Sequence, residues 1–174
     1  MKERDIHRAE PRRDSIKSHH IQQHRHDPYK ARHKLPEPAV CPQCGAVFHE
    51  GRWQWVEDVP DGAHKETCPA CHRGNDKYPA GEITMAGTFA KAHHAEILAL
   101  VRNIQEEQNA EHPLSRIIDI VDIVESGDKT VVTTTDIHLP RRVGHALERA
   151  FKGKLDVHYN EEEYFVRVQW RRDE

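Results

Sequence analysis

Two pairs of cysteines constrain the fold of this chain more than any other feature of its sequence. Cys41 and Cys44 lie in the segment CPQCG, and Cys68 and Cys71 lie in the segment CPACHRG. Each pair can direct two thiolates to one side of a tight turn. Two such turns supply four sulfur ligands, the number that a structural zinc site requires. The spacing therefore predicts one zinc ion bound by all four cysteines.

The segment between the two pairs is expected to form a hairpin. Trp53 and Trp55 alternate along one face, and Pro60-Asp61-Gly62 is a strong turn signal. Gly45 and Gly74 follow the cysteine pairs and supply the backbone freedom that metal-binding turns use. The 23 residues between the pairs slightly exceed the usual spacing, and a longer hairpin absorbs them. These features together predict a zinc ribbon.

Other uses of the cysteines stay open at the level of sequence. The run from Cys68 to His72 matches the attachment motif of c-type haem, a chemistry that requires export, and the first pair has the spacing of a redox motif. Four thiolates also bind iron or an iron-sulfur cluster. A histidine can replace one thiolate, and the candidates are His49, His64 and His72.

The composition indicates a fold that its hydrophobic core alone does not stabilise. The chain has 174 residues, of which 36% are hydrophobic and 32% are charged, so little apolar surface is available for burial. No run of about eighteen apolar residues predicts a membrane span, and the N-terminal residues MKERDIHRAE lack the apolar region of a secretory signal. We therefore expect a cytoplasmic protein with no membrane partner, where free thiols persist.

Residues 1–40 are predicted to form a flexible, basic, histidine-rich arm. They hold ten Lys and Arg, six Asp and Glu, six His and few aliphatic residues, which is too little apolar surface to offset the entropy of ordering. The arm can become ordered on a partner. A second use is metal chelation, which would make a metal-storage protein the alternative, through four residues: His19, His20, His24 and His26.

Residues 87–174 are predicted to form a small α+β domain after the ribbon at residues 41–81. Hydrophobic periodicity and turn signals predict the order α-β-β-α-β-β. The predicted elements are a helix over 88–111, strands over 116–125 and 129–135, a helix over 137–151, and strands over 155–159 and 163–171. The expected fold class is thus α+β, with a zinc ribbon preceding this domain and a flexible arm preceding the ribbon.

The second predicted helix has one apolar and one cationic face. Its apolar stripe consists of Leu139, Val143, Leu147, Ala150 and Phe151. Arginine forks bind phosphate oxygens bidentately, so the other face is a candidate nucleic-acid grip. The candidate binding residues are Arg141, Arg142, His145, Arg149 and Lys152, with Trp53 and Trp55 as residues that can stack on bases.

The cysteine pairs and one further stretch suggest a family. The run from Thr134 to Arg142, TTDIHLPRR, together with Ala146-Leu147 and Phe151-Lys152-Gly153, resembles the N-terminal half of the archaeal and eukaryotic large-ribosomal-subunit export adaptor first named for nonsense-mediated decay. Short bacterial zinc-ribbon proteins are also similar. The resemblance covers about residues 40–155 and implies zinc bound by the four cysteines and a role on the ribosome or structured RNA.

The expected function is therefore a non-enzymatic zinc protein that binds RNA, with ribosomal RNA or a ribosomal subunit as partner in assembly, rescue or dormancy. No P-loop, nucleophile elbow or H-E-x-x-H motif is present. A formal charge of -3 favours local cationic patches over a general nucleic-acid coat, and no DNA sequence specificity is expected. The alternative is a protein-protein adaptor that uses the ribbon to bind a regulatory partner.

Overall fold

The computed structural model of the protein describes residues 26–124 and 127–174, which form four helices and two β-sheets. The strands are β1 (Ala39–Val40), β2 (Val47–His49), β3 (Arg52–Gln54), β4 (His64–Lys65), β5 (Gly81–Ala86), β6 (Ile117–Ile123), β7 (Lys129–Thr134), β8 (Lys154–Tyr159) and β9 (Val166–Arg171). The helices are α1 (Pro69–Asp76), α2 (Thr88–Ala92), α3 (His94–Glu111) and α4 (His138–Phe151). The α+β class and the cysteine-rich first module are confirmed.

The smaller sheet has the strand order β3-β2-β1-β4 and carries the first cysteine pair. Glu50 and Gly51, with φ of 51° and 77°, form the tight turn between β2 and β3, the conformation that two-residue hairpins favour. The hairpin therefore lies earlier than the sequence predicts. Pro60-Asp61-Gly62 does form a turn, since the Ala63 N–H donates to the Pro60 carbonyl. That turn leads into β4, which pairs in parallel with β1.

The larger sheet has the order β6-β7-β5-β9-β8, with β5 and β9 parallel and the other pairs antiparallel. Alternate residues of β5 and β9 point into a core that the helices cover. The largest buried side chain is that of Trp170, and Ile83, Val166 and Val168 are also fully buried. The intervening residues of β9 are exposed, so the sheet has one covered and one open face.

Sequence patterns do not predict β5, the central strand of this sheet. Only Ile83 and Met85 provide apolar alternation in β5, and glycines lie at its start and just after its end. Its register is instead set by β7 and β9, both distant in sequence. The predicted first helix is also divided, because α2 ends at Ala92 and α3 begins after His93. The order of this domain is therefore β-α-α-β-β-α-β-β.

The packing of α4 against the larger sheet fixes the position of its cationic face. Leu139, Val143 and Leu147 are fully buried against the sheet, whereas the predicted core residue Ala150 is exposed. The Leu139 N–H donates to the Asp136 carboxylate at 3.0 Å, which satisfies one free amide at the start of the helix. The Asp136 carboxylate thus caps the first turn of α4.

Residues 26–40 fall within the predicted arm, and several of them pack on α1. The Arg73 side chain is buried and donates to the Asp27 carboxylate at 2.5 Å. The Arg73 guanidinium also lies 4.4 Å from the centre of the Tyr29 ring, a cation-π distance. Leu35 is buried as well. Residues 1–25, with His19, His20 and His24 of the predicted chelating set, lie outside the described residues.

None of the helices in the described part of the chain combines the length and the apolar character needed to cross a membrane.

Gly87, between β5 and α2, is a position where we expect substitution to destabilise the fold. Its φ is +108°, and an added Cβ would collide with the Arg172 carbonyl oxygen at the end of β9. We expect Gly87→Ala to lower the free energy of unfolding by about 2 kcal/mol or more. Urea denaturation of the metal-saturated protein measures this change.

The matched control is Gly74→Ala in α1. Nothing lies within 4 Å of the added Cβ at this position, and alanine favours helix over glycine by about 1 kcal/mol. This variant should therefore be as stable as the wild type or slightly more so. Equal denaturation midpoints for Gly87→Ala and Gly74→Ala would contradict the proposed backbone contact.

Candidate metal centre

The first cysteine pair lies on a tight turn between β1 and β2. The Cys41 N–H donates to the Ala46 carbonyl, and the Gly45 N–H donates to the Cys41 carbonyl at 2.9 Å. Gly45 has a φ of +81°, in the left-handed region that glycine adopts without steric cost. This backbone turn directs the sulfurs of Cys41 and Cys44 toward the second pair.

The second cysteine pair begins a helix, whereas the sequence analysis predicts a turn. Cys68 occupies the N-cap of α1, Pro69 takes the first helical position, and the Cys71 N–H donates to the Cys68 sulfur at 3.4 Å. Gly74 therefore lies inside the helix and has no turn-forming role. The N-terminus of a helix favours negative charge, so this location partly opposes the effect of burial on the two thiols.

The four sulfurs are close enough together to bind one metal ion. The Sγ atoms of Cys41, Cys44, Cys68 and Cys71 all lie within 4.8 Å of one another, and those of Cys44 and Cys68 are 3.7 Å apart. A tetrahedron with metal-sulfur bonds of about 2.3 Å has sulfur-sulfur edges of about 3.8 Å. The four cysteines thus fit a tetrathiolate metal site, and three of them are fully buried.

The protonation of the thiols reflects two opposing effects. Burial disfavours the charged form of Cys41, but backbone N–H donors, chiefly that of Cys68, outweigh burial and lower the pKa of Cys41 to about 7. Burial dominates at Cys68 and Cys71, and it raises the pKa of both thiols. Because a metal binds the thiolate form, metal binding must release the protons of these two groups.

Arg116, from the start of β6, contacts the sulfur cluster from the neighbouring domain. Its guanidinium nitrogens lie 3.2 Å from the Cys68 sulfur, 3.5 Å from that of Cys71 and 3.6 Å from that of Cys44. Burial disfavours the charge on Arg116, but the sulfur contacts outweigh burial and raise its pKa. A divalent metal with four thiolates carries two net negative charges, of which Arg116 balances one.

The geometry argues against a redox pair, against haem attachment and against a histidine ligand at the cysteine site. A redox pair requires two neighbouring thiols to act alone, whereas here each pair faces the other across less than 4.8 Å. His72, the histidine of the haem-like motif, is exposed on α1. His49 and His64 are exposed too, and the metal-binding group found among the described residues contains the four cysteines without a histidine.

The predicted nucleic-acid residues of α4 are brought together, and they line a groove beside the metal module. Arg141, Arg142, His145 and Arg149 all lie on its wall, and Pro69 of α1 lies on the opposite side. Within residues 26–124 and 127–174, no carboxylate lies within ion-pair distance of Arg141, Arg142 or Arg149, whereas His145 lies 3.7 Å from Glu148. Among the described residues the three guanidinium groups thus lack carboxylate partners, and that of Arg141 lies over the Tyr159 ring, 5.7 Å from its centre.

The remaining predicted nucleic-acid residues lie elsewhere. Trp53 is half-buried between Phe48 and the cysteine cluster, with ring centres of Trp53 and Phe48 5.5 Å apart. The Trp55 Nε1–H donates to the Asn109 carbonyl at 2.6 Å and ties the ribbon to α3. Lys152 lies at the C-terminal end of α4, where its carbonyl accepts from Trp170. None of these three residues lines the groove.

Arg116 was not predicted as a functional residue, because its neighbours in the sequence form no motif that indicates a contact with the metal site. It follows Pro113-Leu114-Ser115 at the start of an ordinary β-strand. Its importance comes from the chain reversal at the end of α3, which places this strand against the cysteine module. Arg73 was missed for a similar reason, since an arginine in a short polar helix is normally exposed.

Comparison with known proteins leaves this site to be interpreted from its own geometry. No protein-family model, curated protein or solved structure matches the chain. The functional interpretation therefore depends on the sulfur cluster, on Arg116 and on the groove beside them.

We expect Arg116→Met to weaken metal binding. Methionine keeps much of the side-chain volume but removes the charge that the tetrathiolate faces, and loss of such a partner typically costs 10–100-fold in metal affinity. Competition between the protein and a chromogenic chelator for Zn²⁺ measures the effect. Arg102→Met, at an exposed position of α3, is the control and should bind as the wild type does. Equal affinities for both variants would contradict a role for Arg116.

We expect metal binding to release at least two protons at about pH 7. The raised pKa values of Cys68 and Cys71 leave both thiols protonated in the metal-free protein at this pH. Below the pKa of Cys41, about 7, the proton of that thiol must be displaced as well, so metal affinity should fall more steeply with decreasing pH. Calorimetric titration with Zn²⁺ in buffers of different ionisation enthalpy counts these protons. Release of fewer than two would contradict the assignment, and metal-saturated protein should release none.

Proposed function

We propose that this protein is a non-enzymatic zinc protein that binds RNA through the cationic face of α4 and acts on the ribosome. The observation that carries the proposal is the groove wall formed by Arg141, Arg142 and Arg149, whose charges lack carboxylate partners among the described residues. Guanidinium groups with no carboxylate partner are suited to bidentate contacts with phosphate oxygens. RNA supplies such oxygens at regular spacing along its backbone.

Zinc is the metal that best suits the four-cysteine site. Tetrahedral sulfur ligation is typical of zinc and of iron-sulfur centres, and isolated closed Cys₄ sites formed by two C-x-x-C pairs are typical of structural zinc. Four protein ligands leave no coordination position for water or substrate. The metal would therefore stabilise the ribbon and hold Arg116 in place, and its chemistry there is architectural.

The family resemblance supports a ribosomal partner. The stretch from Thr134 to Arg142 that carries the resemblance covers the end of β7 and the start of α4. Thr135, Asp136, His138, Arg141 and Arg142, all within that stretch, line the groove. The stretch that carries the resemblance thus contributes to the same groove as the three arginines of α4. A ribosomal or other structured RNA in the cytoplasm is the partner that we infer.

We expect the double substitution Arg141→Glu with Arg142→Glu to reduce RNA affinity and its salt dependence together. Each phosphate contact contributes roughly 0.7 to 0.9 to the slope of log affinity against log salt concentration, so loss of two contacts should lower the slope by roughly 1.4 to 1.8. Fluorescence anisotropy with ribosomal RNA fragments at several salt concentrations measures the slope, and sucrose-gradient sedimentation measures association with ribosomal subunits. Zinc content should not change.

The control reverses two charges away from the groove. Arg102→Glu with Lys154→Glu alters the net charge by the same amount at exposed positions of α3 and β8. If both double variants bind RNA equally well, the α4 face is not the binding surface. If the wild type remains at the top of the gradient and binds no RNA, a protein-protein adaptor function is favoured instead.

A further inference from the structure

The groove beside the metal module has the size and lining of a binding site. It encloses about 900 Å³ between the N-terminal end of α1, the C-terminal half of α3 and the exposed face of α4. Ile104, Leu114 and Ala146 provide apolar surface on its walls. Ligand sites are typically concave, largely apolar and furnished with a few polar groups. A volume of this size can admit a small planar group.

The charges around the groove favour an anionic ligand. Three arginines line it, and the acidic lining residues are Asp27, Glu107 and Asp136. Asp27 is already neutralised by the buried Arg73. Asp136 accepts the Leu139 N–H, and burial raises its pKa. The arginines therefore outnumber the acidic groups that remain unbalanced.

We propose that this groove binds an unpaired segment of RNA, with a base inserted against the apolar walls and its flanking phosphates on the α4 arginines. This inference rests on the RNA-binding function proposed above and specifies the form of RNA that is bound. The combination of apolar residues and arginines in the lining of one groove suits a splayed single strand, whose bases are free to leave the stack. A duplex keeps its bases stacked inside and cannot present one to the groove.

Polar groups that line the groove can contact the edge of an inserted base. Gln108, Ser115 and Asp136 all line the groove, and the first two are buried. An amide, a hydroxyl and a carboxyl together offer hydrogen-bond donors and acceptors to a base edge. Such groups hold a base in a fixed orientation, whereas an open cationic surface contacts phosphates alone.

A surface that binds only phosphates and a groove that binds a base are expected to prefer different forms of RNA. A surface that binds only phosphates prefers duplexes, because their charge density is higher and their counterion release is larger. A groove that takes a base prefers the single strand. We expect a labelled ten-nucleotide RNA of mixed sequence to bind about tenfold more tightly than the same strand annealed to its complement, measured by fluorescence anisotropy at about 0.15 M salt.

The matched variants are Ala146→Trp, which fills the groove, and Ala150→Trp, at an exposed position of the same helix. We expect Ala146→Trp to weaken single-strand binding by about tenfold and Ala150→Trp to leave it unchanged, with zinc content and denaturation midpoint checked for both. A photocrosslink from 4-thiouridine RNA to the wild-type protein provides a readout that needs no variant. The crosslinked peptides should contain the groove walls, residues 104–115 or 135–149.

The outcomes distinguish an error in the inference that the groove binds unpaired RNA from an error in the proposed RNA-binding function. Duplex binding as tight as single-strand binding, equal affinities for the two tryptophan variants, or crosslinks outside the groove walls would overturn the inference about unpaired RNA. If RNA binding is still weakened by Arg141→Glu with Arg142→Glu, the proposed function survives that result. Absence of binding by every RNA form would overturn both.

Discussion

The contact between the Arg116 guanidinium and the sulfur cluster is the interaction on which the arrangement of the two modules depends. The cluster gathers a turn and a helix N-terminus that are far apart in sequence, and Arg116 approaches three of its sulfurs from the neighbouring domain. Sulfur ligands gathered this closely repel one another when ionised. A bound metal removes that repulsion, and the arginine balances part of the charge that remains. The metal site is therefore shared by the ribbon and the larger domain.

A continuous chain of contacts connects the metal site to the groove. The Arg116 N–H donates to the Thr135 hydroxyl at 2.9 Å, and the Thr135 N–H donates to the Arg116 carbonyl. The next residue, Asp136, accepts the Leu139 N–H at the start of α4. These contacts fix the end of β7 and the first turn of the helix that carries Arg141 and Arg142. These hydrogen bonds thus connect Arg116, at the metal site, to the helix that carries the cationic wall of the groove.

The metal site also compensates for a small core in the ribbon. The buried residues packed around the cluster are few, and apart from the cysteines they are Ala70, the half-buried Trp53 and Leu114. Burial of so few side chains cannot offset the ordering of some forty residues. A metal bound by the four cysteines would add to the free energy of folding, as structural zinc does by on the order of 10 kcal/mol in small zinc peptides. Leu114 belongs to the larger domain, so the two modules also share this small apolar contact.

Local patterns predicted what depends on neighbouring residues. Most of the apolar stripe of α4 and the turn at Pro60-Asp61-Gly62 follow from patterns of a few residues, and the structure contains them. The central strand β5 escaped prediction because two apolar residues between glycines are a weak local signal. Its place in the sheet is decided by pairing with β7 and β9. The second cysteine pair was predicted as a turn, since a C-x-x-C spacing fits a turn and a helix N-terminus equally well.

The sequence by itself determined the ligand set, the fold class and the cationic face of α4, because residue type and spacing are sufficient for each. Only the tertiary structure decided that Arg116 meets the sulfurs, that Trp53 packs against the cysteine cluster while Trp55 bonds to α3, and that α1, α3 and α4 line a groove. The physical reason is that these contacts join residues from separate elements. Their closeness is produced by sheet pairing and helix packing across the whole domain, which no window of neighbouring residues contains.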